Sequence, residues 1–436
     1  GARQWWITPP SLRAPTLELG YVDKSGKYVE RHLDPRDGGL LPEVGTLGGT
    51  RFIFPFHFSL HIRWKDVGYW LVGFSAMAML VLLVSGVVIH HRIFKDFFRF
   101  RRNERLLRSG LDLHNLTGVF ALPFHFVMTL SGLIIFFAIY FPGTWQAIYG
   151  SDRAAFQRET YGGFERPAAK TPAPLASLDA MVAEARRRWN GDGPVYIGIS
   201  NPGDAASVVS VHRTYDNAVP LNIDQVFFDG PTGRVLHQVT ATPVVAAHRF
   251  IVGIHFVRFQ RWTLRWLYFL GGIAGCVMIA TGFIVWLEAR RKAHAREGLR
   301  GVRVVEALTV FSVTGIIAAT CAFFAINRWL PLGARVGSLD RAGIEVLGFC
   351  ATWCATLIHA FVRPRASVWR EQALAIVALA SAAVVGNAVS TGDHLPRALG
   401  RGLWAVAGMD ALLLLGAGIA WATARRLRSQ GEGREA

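Results

Sequence analysis

The sequence predicts a mainly α-helical, polytopic membrane protein: a transmembrane helical bundle carrying a small α+β domain outside the bilayer. Three observations lead there. Of 436 residues, 52% are hydrophobic and only 18% charged, where a soluble domain carries about 25% charged residues; mean hydropathy is +0.30. Seven apolar stretches, 67–89, 116–141, 264–287, 305–328, 343–362, 371–391 and 403–423, each reach the roughly 20 residues that a bilayer requires. The net charge of +17 sits between these stretches and forms no basic patch on a soluble domain, so the expected partner is the lipid bilayer and not nucleic acid.

The basic residues also set the sidedness. Segments 90–113, 288–303, 363–370 and 424–436 carry twenty Lys and Arg, and the short loops 329–342 and 392–402 carry four. Strict alternation puts every basic segment on one side, the cytoplasmic one. The expected organisation follows in chain order: an outer segment 1–66, a core transmembrane hairpin 67–141, an outer domain 142–263, a core helix 264–287, a four-helix extension 305–423 and a cytoplasmic tail 424–436. The opening GARQWWITPP is neither an initiator Met nor a signal peptide. An outer 1–66 then implies one more helix upstream, eight in all.

Within 142–263, SLDAMVAEARRRW reads as an amphipathic helix with Leu178, Met181, Val182 and Ala185 on one face and Ser177 as N-cap. VYIGISNP and SVVSVHRTY are β-rich, and QVFFDGPTGRVLHQVT reads as a hairpin around Asp229–Gly233. One helix and about four strands make an α+β module. All four cysteines, Cys276, Cys321, Cys350 and Cys354, lie in apolar runs without a CxxC, which excludes a disulfide scaffold and a Cys-held cluster or zinc. The C-terminal helices contain few polar residues, and a packing role is expected of them.

The fourteen histidines carry the chemistry through their positions. His57 and His61 flank the outer entrance of the first visible helix, with His90 and His91 at its inner end. His114 opens the next helix from the inner side, and His125 lies eleven residues on. On one straight helix those eleven residues bring the two to a shared face about 16 Å apart. His57 and His61 are i,i+4 neighbours, and His248 and His255 are i,i+7. Polar side chains in a membrane helix are costly and face the bundle interior, so these positions give two layers of imidazole, one near each surface. A lone membrane histidine is ordinarily an interfacial or hydrogen-bonded residue. A layered set of six is what haem iron uses, with one or two axial imidazoles per centre. The expected ligands are His57, His61, His90, His114, His125 and His255, the iron-binding emphasis falling on His57, His114, His125 and His255. For the outer haem we expect His255, with His57 or His61 opposite or close by. His114 is expected to ligate the inner haem, with His90 or a histidine of the upstream helix. His91, in a basic run, and His32, His212, His237, His294, His359 and His394 are expected to be structural.

Three stretches resemble the PepSY-associated transmembrane family of bacterial inner-membrane proteins: SGVVIHHRIFKDFFRFR with LDLHNLTGVFALPFHFVMTLSG, IHFVRFQRWTLRWLYFLGGIAGCVMIATGFIVW, and the PepSY-like hairpin VFFDGPTGRVLHQ. The resemblance covers roughly 50–290. It implies a PepSY-like domain in the periplasm, two haem b groups, and the activity of the family's di-haem reductases: electrons taken from a donor on the cytoplasmic or quinone side reduce a ferric siderophore or chelate and release Fe(II). The rivals are a quinone-linked cytochrome with another acceptor, a non-catalytic PepSY membrane protein that binds a partner, and a metal-ion permease.

Overall fold

A computed structural model describes residues 3–11, 14–23, 25–62, 64–89, 106–297 and 301–435. The chain forms two compact units. One comprises the N-terminal segment to Glu43, Tyr69–Ile89 and Leu122–Gly271; the other comprises Val44–Gly68, the described part of 90–121, and the chain from Gly272 onward.

The first unit is built on one antiparallel sheet of seven strands: β1 (Gln4–Thr8), β2 (Leu17–Val22), β3 (Tyr28–Leu33), β4 (Pro194–Ser200), β5 (Val208–Arg213), β6 (Gln225–Asp229) and β7 (Val235–Val239), in the order β3-β2-β1-β4-β5-β6-β7. Three strands therefore come from the N-terminal segment and four from 142–263, joined where Trp6 pairs with Gly198 and Ile7 with Ile197. Strand alternation sends Ile7, Ile197, Ile199, Val209, Val211, Val226 and Phe228 to one face, where they pack on Met181, Ala185 and Trp189. The first two of those belong to helix α5 (Leu178–Arg188), capped by Ser177, whose hydroxyl accepts from Ala180 N. The expected amphipathic face is thus the one buried. The β6–β7 turn closes as the hairpin motif requires: Asp229 accepts from the Thr232 hydroxyl and amide, and Gly233 takes a φ of 70°, a conformation glycine adopts without strain. Arg166 pairs with Asp229 and donates to Ser207 O.

The helices that follow the apolar runs are α1 (Thr50–Ser59), α2 (Val67–Ile89), α3 (Leu106–Phe120), α4 (Leu122–Ile135), α6 (Pro243–Phe256), α7 (Trp262–Arg296), α8 (Gly301–Trp329), α9 (Arg341–Val362), α10 (Arg365–Thr391) and α11 (Trp404–Glu435). Among the described residues, six helices are long and apolar enough to cross a membrane, and the α3–α4 pair brings the number to as many as seven. Large apolar side chains such as Phe74, Leu82 and Val88 on α2 stand exposed, as lipid-facing positions do. One expected element divides. The stretch 116–141 is not a single helix: α3 ends at Phe120 and α4 begins at Leu122. Pro123 is the cause, because it lacks an amide hydrogen and its ring clashes with the carbonyl four residues earlier.

In the second unit α8, α10 and α11 meet through small side chains, Ala318, Cys321, Ala373, Ala380, Ala417 and Ala420, which let membrane helices approach closely. These C-terminal helices also bury far more polar chemistry than their composition suggests. Glu345 is completely buried and accepts from Thr46 Oγ1 (2.7 and 2.8 Å) and Asn327 Nδ2 (2.9 Å). Arg341, one turn earlier, donates to Val44 O (2.8 Å) and Asn327 O (2.6 Å). Gln372 bridges Thr314 and Thr356 O, and Asn387 donates to Asp410. The packing expected of these helices thus includes polar groups that bond to one another inside the bundle.

Candidate functional site

Each expected histidine is placed by the element that carries it. His255 sits near the end of α6, which packs on α4. Its Nδ1 lies 3.0 Å from Met128 O and 3.0 Å from Ser131 Oγ. A carbonyl only accepts, so Nδ1 carries the proton. Ser131 Oγ itself donates to Val127 O (2.6 Å) and is left to accept from the imidazole. Gly132 completes the seat, since a Cβ there would lie 3.0 Å from His255 Cε1. In the tautomer this contact selects, Nε2 is the ring nitrogen that carries the lone pair.

His114, on α3, repeats this arrangement in the other unit. Its Nδ1 lies 2.8 Å from Met278 O of α7, so again Nδ1–H donates to a backbone carbonyl. A Cβ at Gly282 would lie 3.2 Å from His114 Cε1. A ring N–H given to a carbonyl of a neighbouring helix fixes tautomer and orientation, as the outer partners of metal-bound histidines do.

The other four differ. His125 is buried on α4, 3% exposed, with its ring beside Phe124; Thr129 Oγ1 donates to its carbonyl. Because the chain breaks at Ala121, the shared face drawn for His114 and His125 on one straight helix does not exist. His61 is not on the helix face of His57. α1 ends at Ser59, Leu60 and His61 take positive φ values of 51° and 56°, and a Cβ at Gly68 would run into Ser59 O, so the tight exit lifts His61 off the helix. Its Nε2 meets Phe52 O at 2.8 Å and its ring stacks on Phe52 at 4.8 Å. His57 is an exposed residue of α1. His90 lies outside the described residues. Of the five described, only His125 and His255 fall on one helix pair, α4 and α6; His57, His61 and His114 belong to the other unit.

Sequence reasoning set His248 aside, although it lies on α6 seven residues before His255. Its Nε2 is fully enclosed and has no hydrogen-bond partner, and Phe137 and Tyr161 wall the ring. The i,i+7 spacing was the available signal. Of the histidines expected to be structural, His359 meets Glu371 (2.8 Å), His212 stacks on Tyr196 and His237 on Phe164; His91 and the His294 side chain lie outside the described residues. His32 joins Glu18 and Glu30 across β2 and β3, the one group of three possible metal donors within 4.8 Å of one another among the described residues. Its Nε2 lies 3.2 Å from Glu30 and its Nδ1 3.9 Å from Glu18.

Two comparisons bear on this arrangement. The family model described as the PepSY-associated TM region matches residues 2–289. A Pseudomonas aeruginosa protein described as "Uncharacterized protein PA4219" is similar to this chain, 26% identical over 382 residues that span 82% of this chain and 90% of its own length. That likeness is longer than the family match, so it extends into the C-terminal helices.

Proposed function

This chain belongs to the PepSY-associated transmembrane family, and from that membership we propose that it is a haem b electron carrier of the bacterial inner membrane that reduces a periplasmic ferric siderophore or chelate. The observation that carries the reading is the matched seating of His114 and His255: each gives Nδ1–H to a backbone carbonyl of a facing helix and rests against a glycine. A lone buried histidine with a purely structural role has no need of the same tautomer and the same glycine neighbour at two separate places. All-imidazole donors with fixed Nε2 lone pairs fit b-type haem, and the apolar helices around them keep water away. His114 and His255 are the ligands we assign first; His125, buried on the helix that seats His255, is the next candidate, and His57, His61 and His90 follow.

When bound, haem supplies one-electron transfer at its iron. The residues of the chain do the rest. Met128, Ser131 and Met278 hold each imidazole in one orientation, and Gly132 and Gly282 leave room for the ring. The sidedness has a second support besides the basic loops. β1–β3 and β4–β7 form one sheet, so their segments share a side, and the two candidate crossings between them, α2 and the α3–α4 pair, are an even number. Hard-oxygen chelates hold Fe(III) far better than Fe(II), so delivery of one electron releases the iron. The electron donor is proposed to act from the cytoplasmic or quinone side.

The test is spectroscopic and anaerobic. Purified protein reduced with dithionite should show the Soret and α bands of b haem, and addition of a ferric chelate with an Fe(II) trap should bleach the α band as trapped Fe(II) appears. Absence of haem bands sinks the cytochrome reading. Haems that stay reduced with every chelate class, yet oxidise promptly with a quinone, sink the iron-reductase reading.

A further inference from the structure

Four arginines, Arg249, Arg258, Arg261 and Arg265, flank His255 in the sequence, and the structure separates them. Arg261 is exposed. Arg265 donates to Phe259 O and lies over the Trp262 ring. Arg258 lies 6.0 Å from the centre of the Tyr215 ring. Arg249 is of another kind. Its Nε donates to Leu221 O (2.5 Å), its own carbonyl accepts from Leu221 N, and its guanidinium lies 5.7 Å from the Tyr161 ring centre. Among the described residues no Asp or Glu pairs with it. Asp216 accepts from Gln260, and Asp192 and Asp224 both hold Arg213.

A half-buried guanidinium without a counter-anion is costly. Beside it in the chain stands a second polar group lacking what it needs, the enclosed His248 Nε2. The two share one wall, since the Tyr161 ring lies 6.5 Å from the His248 ring and 5.7 Å from Arg249. Burial pushes the His248 imidazole below its ordinary value, the Arg249 charge adds to that, and a hydrogen bond with the Ile134 backbone opposes it. A planar, bidentate donor and an imidazole at one aromatic wall suit a carboxylate, which the guanidinium fork matches in shape as well as charge. An anion there would supply the missing counter-charge of Arg249 and favour the protonated imidazole, whose Nε2–H can donate to it.

We propose that Arg249, with His248 and the Tyr161 ring, forms a receptor for a carboxylate group of a ligand bound at α6. The carboxylate chemistry stands on the two unmatched groups alone. Its two sources, a haem propionate or a carboxylate of a ferric chelate, rest on the function proposed above.

The test uses the full chain in nanodiscs, expressed without haem supply. It is titrated separately with protohaem, with protohaem dimethyl ester, which has no free carboxylate, and with ferric citrate. Wild type, R249Q, R249K and H248L are compared. If the source is haem, wild type binds protohaem roughly tenfold or more tighter than the ester, and R249Q removes that preference. If the source is the chelate, R249Q weakens ferric citrate by a similar factor and leaves the haem preference alone. R249K, which keeps the charge but not the fork, should fall between wild type and R249Q in whichever titration responds, and H248L should lose less than R249Q. Should R249Q fail to fold, R249K and H248L decide. The proposal is overturned if neither the preference nor citrate affinity changes in the folded variants. If no haem binds even wild type, the cytochrome reading fails and the citrate titration still decides this one.

Discussion

In the C-terminal bundle Glu345 is fully buried and accepts from Thr46 and Asn327, while Arg341 beside it is held by two carbonyls. On α6, His255 is held at Nδ1, by a carbonyl and a hydroxyl of one neighbouring helix. Both regions place costly polar groups within apolar helices. The bundle's groups turn to one another: donors meet acceptors of the same unit, apart from Arg341 Nε, which lacks a hydrogen-bond partner and lies 3.6 Å from Glu345, and the result is a fastening between the segment at 44–47 and helices α8 and α9. The imidazoles are fastened so that one nitrogen is fixed as donor and the other as lone pair. A closed network is what structure alone requires; an oriented lone pair is what a metal requires.

The sharpest way to break this comparison is at the imidazoles. H255A should reduce the haem-to-protein ratio from two towards one while leaving one redox midpoint, and H114A should remove the other midpoint. Retention of both midpoints in either variant would turn that histidine into a packing residue. The next largest effect belongs to the bundle. E345A strands Arg341 and should cost about 3 kcal/mol or more of stability, read as a lower unfolding midpoint in detergent, with the α band unchanged; a loss of haem there would erase the distinction between the regions. Smaller again are the seats. Gly132→Val and Gly282→Val crowd Cε1 of His255 and His114, and we expect each to shift one midpoint without loss of cofactor.

The smallest effect lies in the sheet. Burial pushes His212 down to about 4, so between roughly pH 6.5 and 4 the unfolded chain binds a proton that the folded domain refuses. Stability should therefore fall as pH drops through that window. H212F should flatten the fall, followed by hydrogen exchange of β4 and β5. An unchanged slope would assign the acid sensitivity to another group.

Much of this was legible in residue order. Long apolar runs located six candidate spans to within a few residues, because span length is set by the bilayer; the α3–α4 pair runs Leu107–Ile135 where 116–141 was expected. Ser177 and the Leu178–Ala185 face located α5, because capping and helical period are local. The failures came where contacts are remote or small. Pro123 was a readable signal for the break at Ala121, and passing over it produced the false shared face of His114 and His125. The left-handed exit at Leu60 and His61 depends on Gly68 meeting Ser59 O, which no periodicity reports. Thr46 and Glu345 lie some 300 positions apart, so the fastening they form was invisible. For His114 and His255 the residue type and depth were readable, and the partners at Met278 and Met128 were not.

The composite sheet has a consequence for how the chain is made. β1 needs β4 as its neighbour, yet about 160 residues separate β3 from β4. At ~5–20 residues per second of synthesis, the N-terminal strands wait on the order of ten seconds or more with an unpaired edge. During that interval α2, α3 and α4 must be inserted and the chain returned to the side where the strands wait. β1 thus ties the sheet to the topology: a chain that misinserts one helix would bring β4 out on the wrong side and leave that edge open to pairing with another chain.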